Sequence, residues 1–171
     1  PVDNTGVQYG LGALNSGVIT APEFLALNES IGGYDNDGNY IPSRSSADLQ
    51  AVRAAYETGR VANGGGGLAS VPIIDSRNYL DMRTAADIHL KYHSFEFRER
   101  LLRANGTTSN EVLLVTAERP HAMFEAYTIG KMDEWLTNLA HDKSSDGMKE
   151  KIARAKPADL IDACFSAEGE R

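Results

Sequence analysis

"VPIIDSRNYLDMRTAADIH", residues 71–89, decides how the rest of the chain is read. It opens with Val71, Ile73 and Ile74 around Pro72, a short β-branched run of buried-strand type. It then turns polar, with Asp75, Asp81 and Asp87, and passes into a helix-like stretch carrying His89. The pattern predicts a strand over 71–75, an acidic loop, and a helix over 85–104 followed by Gly106. A second continuous apolar run, "EVLLVTAE" at 111–118, predicts another buried strand. "RPHA" then makes a tight turn holding His121. A helix over 122–140 follows, with Phe124, Thr128, Met132, Trp135 and Leu139 on its core face.

Strands alternating with helices indicate a parallel sheet covered by helices, an α/β fold. Two parallel strands are too few to stand alone. The remaining strands are therefore expected from another chain or from a missing segment. Downstream, "GMKEKIARA" and "KPADLIDACF" read as two short helices split by Pro157, a helical tail over 143–171.

Upstream of the strand the chain reads as helices and loops. "VQYGLGALNSG" spaces Val7, Leu11 and Leu14 as a helix ending near Gly17. In "TAPEFLALNESIGG", Thr20 and Glu23 form a capping box, Pro22 sits in the first turn, and Gly32 or Gly33 ends the helix. "YDNDGNYIPSR" is a loop. Leu49, Val52, Ala55 and Tyr56 share one face of a third helix that stops at Gly59. The domain reading is a helical cap-like or lid-like segment over 1–62, a glycine linker at 63–67, an α/β core over 68–142, and the tail. The glycines precede a strand instead of following one, which excludes a phosphate-cradling loop.

Hydrophobic residues at 42% and charged residues at 24% fit an ordinary globular domain. The net charge of −7 argues against a nucleic-acid partner, because phosphate binding needs a basic stripe. No apolar run approaches the roughly 18 residues of a membrane span, and no stretch of these 171 residues reads as a signal peptide. The chain opens on Pro1 without Met, which reads as a processed chain or a piece of something longer. The single cysteine, Cys164, is either a buried free thiol or the partner of a cysteine outside the chain.

In open parallel sheets, functional groups collect beyond the carboxyl ends of the strands. Here one end leads to Asp81 and the next to His121. An acid after one strand and a histidine after the next is the layout of an Asp–His pair that serves a nucleophile. Asp75 is the alternative acid, and inside the strand end it is expected to have a structural partner, either Arg77 or a cluster of backbone N–H groups.

With "VPIIDSRNYLD" and "EVLLVTAERPHAMFEAYTIGKMDEWL" in these positions, residues 68–140 resemble the C-terminal part of an α/β-hydrolase. The N-terminal "PVDNTGVQYGLGALNSGVITAPEFLALNESIGG" and the tail "KPADLIDACF" are similar to a secreted bacterial group related to tannase-like and feruloyl-esterase-like hydrolases. The resemblance implies a serine-type esterase acting on aromatic or polymeric esters, secreted or periplasmic, with Asp81 and His121 in its triad. The nucleophile elbow G-x-S-x-G does not occur in these 171 residues. The serine is therefore expected on an upstream segment or chain of the same precursor. His89, His93 and Asp87 are expected at the rim of the substrate cleft.

Two other readings stay open. One is a non-catalytic binding or scaffold protein that keeps the hydrolase topology. The other is a metal-dependent site on His89 and His93, four apart on a helix face, although the glutamate of H-E-x-x-H is replaced by Leu90. "DNDGN", with Asp35 and Asp37, resembles the start of a Ca²⁺ loop; its glycine is misplaced, and an Asx turn is the simpler reading. The aromatics of "YHSFEF" and Trp135 are expected in the core.

Overall fold

The computed structural model describes residues 3–83, 88–117 and 122–171. Among these the protein is mixed α/β: six helices, a three-stranded parallel sheet and a two-stranded antiparallel pair. The chain divides into two compact units, residues 1–58 and 59–171. No helix among the described residues is long and apolar enough to cross a membrane.

The first unit contains α1 (Leu11–Asn15), α2 (Ala21–Ser30), β1 (Gly33–Tyr34), β2 (Tyr40–Ile41) and α3 (Leu49–Glu57). The capping box of α2 forms as the sequence predicts. Thr20 Oγ1 accepts from Glu23 N at 3.4 Å, and Glu23 Oε2 accepts from Thr20 N at 2.7 Å. Gly32, at φ +64, leads the chain out of the helix, as expected. The expected loop instead closes into the β1–β2 hairpin, with Tyr34 opposite Tyr40. Of the described residues here, only Gly32, Gly33 and Ser45 are buried. Polar contacts therefore hold this unit more than an apolar core does. Arg44 is the hub: its guanidinium donates to the carbonyls of Asn4, Val7 and Asn28 and to Asn28 Oδ1.

The second unit contains β3 (Ile73–Asn78), α4 (Tyr92–Asn105), β4 (Glu111–Thr116), α5 (Ala122–His141), α6 (Met148–Ala155) and β5 (Ala163–Cys164). The sheet order is β3-β4-β5, all parallel, with β4 central. The tail is not a pair of helices. Beyond Pro157 the chain turns and supplies a third strand, with Leu114 opposite Ala163 and Val115 opposite Cys164. The tail is also core, because Ile152, Leu160 and Phe165 are buried with Val112, Leu114, Phe124 and Trp135.

Alternation along β4 separates the two faces of the sheet. Val112 and Leu114 point into the cluster under α5 and α6. Glu111, Leu113 and Val115 point the other way, toward α4, where Arg98 meets Glu111 and Arg77 meets Ser94. The predicted stripe on α5 is real: Phe124 and Trp135 are buried, and Thr128, Met132 and Leu139 partly so. In "YHSFEF", by contrast, Tyr92 and Phe95 are more than half exposed and lie outside the core.

The glycine run is not a slack linker throughout. Gly64 is buried at φ +78, and a Cβ there would come within 2.4 Å of the Arg100 backbone. Asn105 Nδ2 donates to its carbonyl at 2.7 Å, so this glycine docks the segment onto α4.

Candidate functional site

β3 and β4 end level. Asn78 pairs with Thr116, and Tyr79 N donates to the Thr116 carbonyl at 2.8 Å. Everything that follows either strand therefore leaves the sheet at one edge. Leu80 is buried there and anchors the turn that carries Asp81.

The Asp81 carboxylate is already engaged. Its Oδ1 accepts from Lys91 N at 3.0 Å, and its Oδ2 lies 3.6 Å from Lys91 Nζ. The Lys91 ammonium also sits 4.5 Å from the centre of the Tyr79 ring. Lys91 is the N-cap residue of α4 and makes no side-chain cap of its own, so Asp81 satisfies that end of the helix from ten residues upstream. Sequence reasoning missed Lys91. No local spacing marks it, because the contact depends on how the loop closes.

His121 and Asp87 lie outside the described residues. In the chain, His121 stands between Ala117, just past β4, and Ala122, the first residue of α5.

His89 and His93 do not share a helix face. The helix expected over 85–104 begins at Tyr92, so His89 precedes it and only His93 belongs to it. The His93 Nε2 lies 3.1 Å from the Ile88 carbonyl, and its Nδ1 lies 3.4 Å from Glu96 Oε2. Its ring stacks beside Tyr92 at 4.0 Å between centroids. No group of three His, Cys, Asp or Glu side chains able to hold a metal occurs among the described residues. His89 lines a recess of about 360 Å³ with Ser76, Arg77, Asn78 and Leu80, beside the C-terminal half of β3.

A second cleft, of about 420 Å³, lies on the α4 face of the sheet. Leu113 and Val115 line it, with Phe95 and Cys164 beside them and Tyr79 and Lys91 next to Asp81. Cys164 is exposed on this face, not buried, and its thiol is free. With a single cysteine, the chain closes no disulfide of its own.

Deeper on the same face, Arg98 ties three elements together. It donates to Glu111 Oε2 at 2.5 Å and grips both oxygens of Asp162 at 2.5 and 2.8 Å. Asp162 Oδ1 also accepts from Leu113 N at 2.9 Å. Hydrogen bonds from Arg98 hold the Asp162 carboxyl below its ordinary value, and the carboxylates raise the guanidinium in turn. Burial pushes Glu111 up, against the pull of Arg98 and with a smaller push from Asp75. Arg77, expected as the partner of Asp75, instead donates to Ser94 Oγ at 2.6 Å and to the Leu90 carbonyl.

Asp35 behaves as the centre of an Asx turn. Its Oδ1 accepts from Asp37 N and Asn39 N at 2.9 and 2.8 Å, and its Oδ2 accepts from Asn39 Nδ2 at 3.1 Å. Both oxygens are engaged inside the loop.

No curated protein and no solved structure matches the chain. One family model does, and it covers the whole sequence, residues 1–171. The chain belongs to the tannase-like family of unknown function (DUF6351).

Proposed function

We propose that this chain supplies the acid and the histidine of a Ser–His–Asp esterase, with Asp81 and His121 in those roles. The observation that carries the reading is the level ending of β3 and β4, with Asn78 opposite Thr116. Asp81 follows three residues beyond one strand end and His121 five beyond the other. His121 takes the proton of the attacking serine and returns it to the leaving alcohol. Asp81 fixes the imidazole tautomer and stabilises its charged form. The hydrogen bond from Lys91 N orients the carboxylate through Oδ1, and the histidine shares Oδ2 with the Lys91 ammonium 3.6 Å away.

The serine comes from an upstream segment or chain whose strand pairs along the outer edge of β3. That edge faces no strand among the described residues, and the sequence lacks G-x-S-x-G. His89, His93 and Asp87 form the rim of the substrate cleft. The apolar cleft between Phe95 and Leu113 accepts the hydrophobic or aromatic part of an ester. The setting is secreted or periplasmic.

The Asp81–Lys91 pairing favours a second reading, in which Asp81 only caps α4 within a non-catalytic scaffold. Hydrolysis of aromatic and aliphatic p-nitrophenyl esters by the full precursor separates the two. His121→Ala and Asp81→Asn are expected to lower kcat by about 10³–10⁴ or more, with folding retained. Unchanged turnover in His121→Ala would overturn the esterase reading and leave the scaffold.

A further inference from the structure

β3 carries an arginine whose charge is not matched by its neighbours. Arg77 is half-buried; its Nε–H donates to Ser94 Oγ at 2.6 Å and its Nη1 to the Leu90 carbonyl at 3.4 Å. Both acceptors are neutral. The second Nη1–H and both Nη2–H groups have no acceptor among the described residues, and no carboxylate among them pairs with the guanidinium. Other arginines of the same unit are neutralised: Arg98 by Glu111 and Asp162, Arg100 by Glu96, Arg103 by Glu99, and Arg154 by Asp142 and Asp146. In a chain of net charge −7, an unmatched cation is the exception. Taking a guanidinium partly out of water without a counter-ion costs free energy, and a bound anion offsets that cost.

This charge sits at a recess. Ser76, Arg77, Asn78, Leu80 and His89 line a space of about 360 Å³, the size of a small-molecule site. The contact with Leu90 puts the guanidinium beside the residue that follows His89. Leu80 is buried and gives the recess an apolar wall, while Ser76 and Asn78 add polar side chains. The recess lies along the C-terminal half of β3, toward the end at which open parallel sheets collect their ligands. A strand paired along β3 uses backbone groups in the plane of the sheet. Alternation sends the Arg77 side chain out of that plane toward α4, so the two occupations are compatible.

The lining selects the class of anion. A planar guanidinium with N–H groups left on two nitrogens matches a carboxylate, whose two oxygens accept side by side. A dianion such as inorganic phosphate is disfavoured. Asp75 lies on the same face of β3 two residues away, Asp81 follows Leu80, and the chain as a whole is negative. The Leu80 wall favours an organic acid over a small inorganic ion.

We propose that the Arg77 recess binds a small organic monocarboxylate, with the carboxylate on the guanidinium and the apolar part toward Leu80. This binding does not depend on whether Asp81 and His121 are catalytic. One partly exposed ion pair binds weakly, with a Kd of about 1–10 mM at low salt.

Titration of the ¹⁵N-labelled full chain with sodium benzoate, followed by NMR, tests this. Benzamide serves as the neutral isostere and inorganic phosphate as the dianion. The expected result is saturable benzoate shifts at Ser76, Arg77 and Asn78 that weaken with added NaCl. Benzamide and phosphate should each bind at least about tenfold more weakly. Arg77→Gln should weaken benzoate binding at least about tenfold. Arg77→Lys keeps the charge without the planar fork and should retain part of the affinity. Together with the benzoate–benzamide comparison, it keeps the test decisive if Arg77→Gln does not fold. Asp87→Asn asks whether an acid of the chain itself fills the site. Benzoate saturating only in Asp87→Asn, benzamide matching benzoate, phosphate binding more tightly than benzoate, no saturable shift, or benzoate binding unchanged in Arg77→Gln would each overturn the proposal.

Discussion

Arg98 on α4 grips Asp162, 64 residues further along the chain, through two hydrogen bonds of 2.5 and 2.8 Å. Asp162 immediately precedes β5, and Leu113 N donates to the same carboxylate. This clamp fastens the tail to the sheet. Replacing Arg98 with Met leaves the buried Glu111 and the adjacent Asp162 without their cation. The expected loss is about 3 kcal/mol, measured as a lowered urea midpoint with an unchanged slope. An unchanged midpoint would mean that the clamp contributes nothing.

Glu111 gives the second unit an unusual pH dependence. Burial raises its carboxyl above the ordinary 4.5, so its charged form is disfavoured only in the folded state. Its contribution is therefore most favourable below 4.5 and is lost as pH rises through the raised folded value. Asp162 runs the opposite way. Its lowered carboxyl stabilises the fold above the ordinary 3.8, and that stabilisation is lost as pH falls through the lowered folded value. Glu111→Gln should flatten the stability profile above 4.5 and leave the acid loss intact. Thermal melts across that range check it; an unaltered profile in the variant would remove Glu111 as the cause.

Gly64 and Gly66 make a matched pair. Both have positive φ, +78 and +62, but only Gly64 would drive a Cβ into the Arg100 backbone, while Gly66 faces open space. Gly64→Ala should cost about 2–4 kcal/mol, and Gly66→Ala about 1 kcal/mol. Equal costs would show that conformation, and not packing against α4, sets the requirement.

Trp135 is fully buried and donates from Nε1 to the Ile152 carbonyl at 2.9 Å, joining α5 to α6. Trp135→Phe removes that donor and leaves a gap, for an expected loss of about 2–3 kcal/mol. Chemical denaturation followed by far-UV circular dichroism reads it, since the variant lacks the fluorophore.

Asp81 has a structural task that can be separated from its proposed catalytic one. Asn at this position keeps an acceptor for Lys91 N, whereas Ala does not. Asp81→Ala should cost about 1 kcal/mol, and Asp81→Asn only a few tenths. A folded Asp81→Asn variant is therefore the cleaner test of catalysis. Comparable destabilisation by both would show that the charge on Lys91 matters more than the cap.

The sequence by itself determined what depends on near neighbours. The α2 capping box, the Asx turn at Asp35, the core stripe on α5 and the β3–α4–β4 alternation all rest on spacings within a few residues. The tertiary structure alone decided what depends on distant partners. "KPADLIDACF" has no decisive period, and it becomes a turn and strand because β4 offers an edge and Arg98 holds Asp162. The start of α4 is set by Asp81 reaching Lys91 across ten residues, and this leaves His89 before the helix and His93 within it. Gly64 looked like linker and is packing, because only the fold brings the Arg100 backbone against it. In each case the deciding contact spans too much chain for local pattern to encode it.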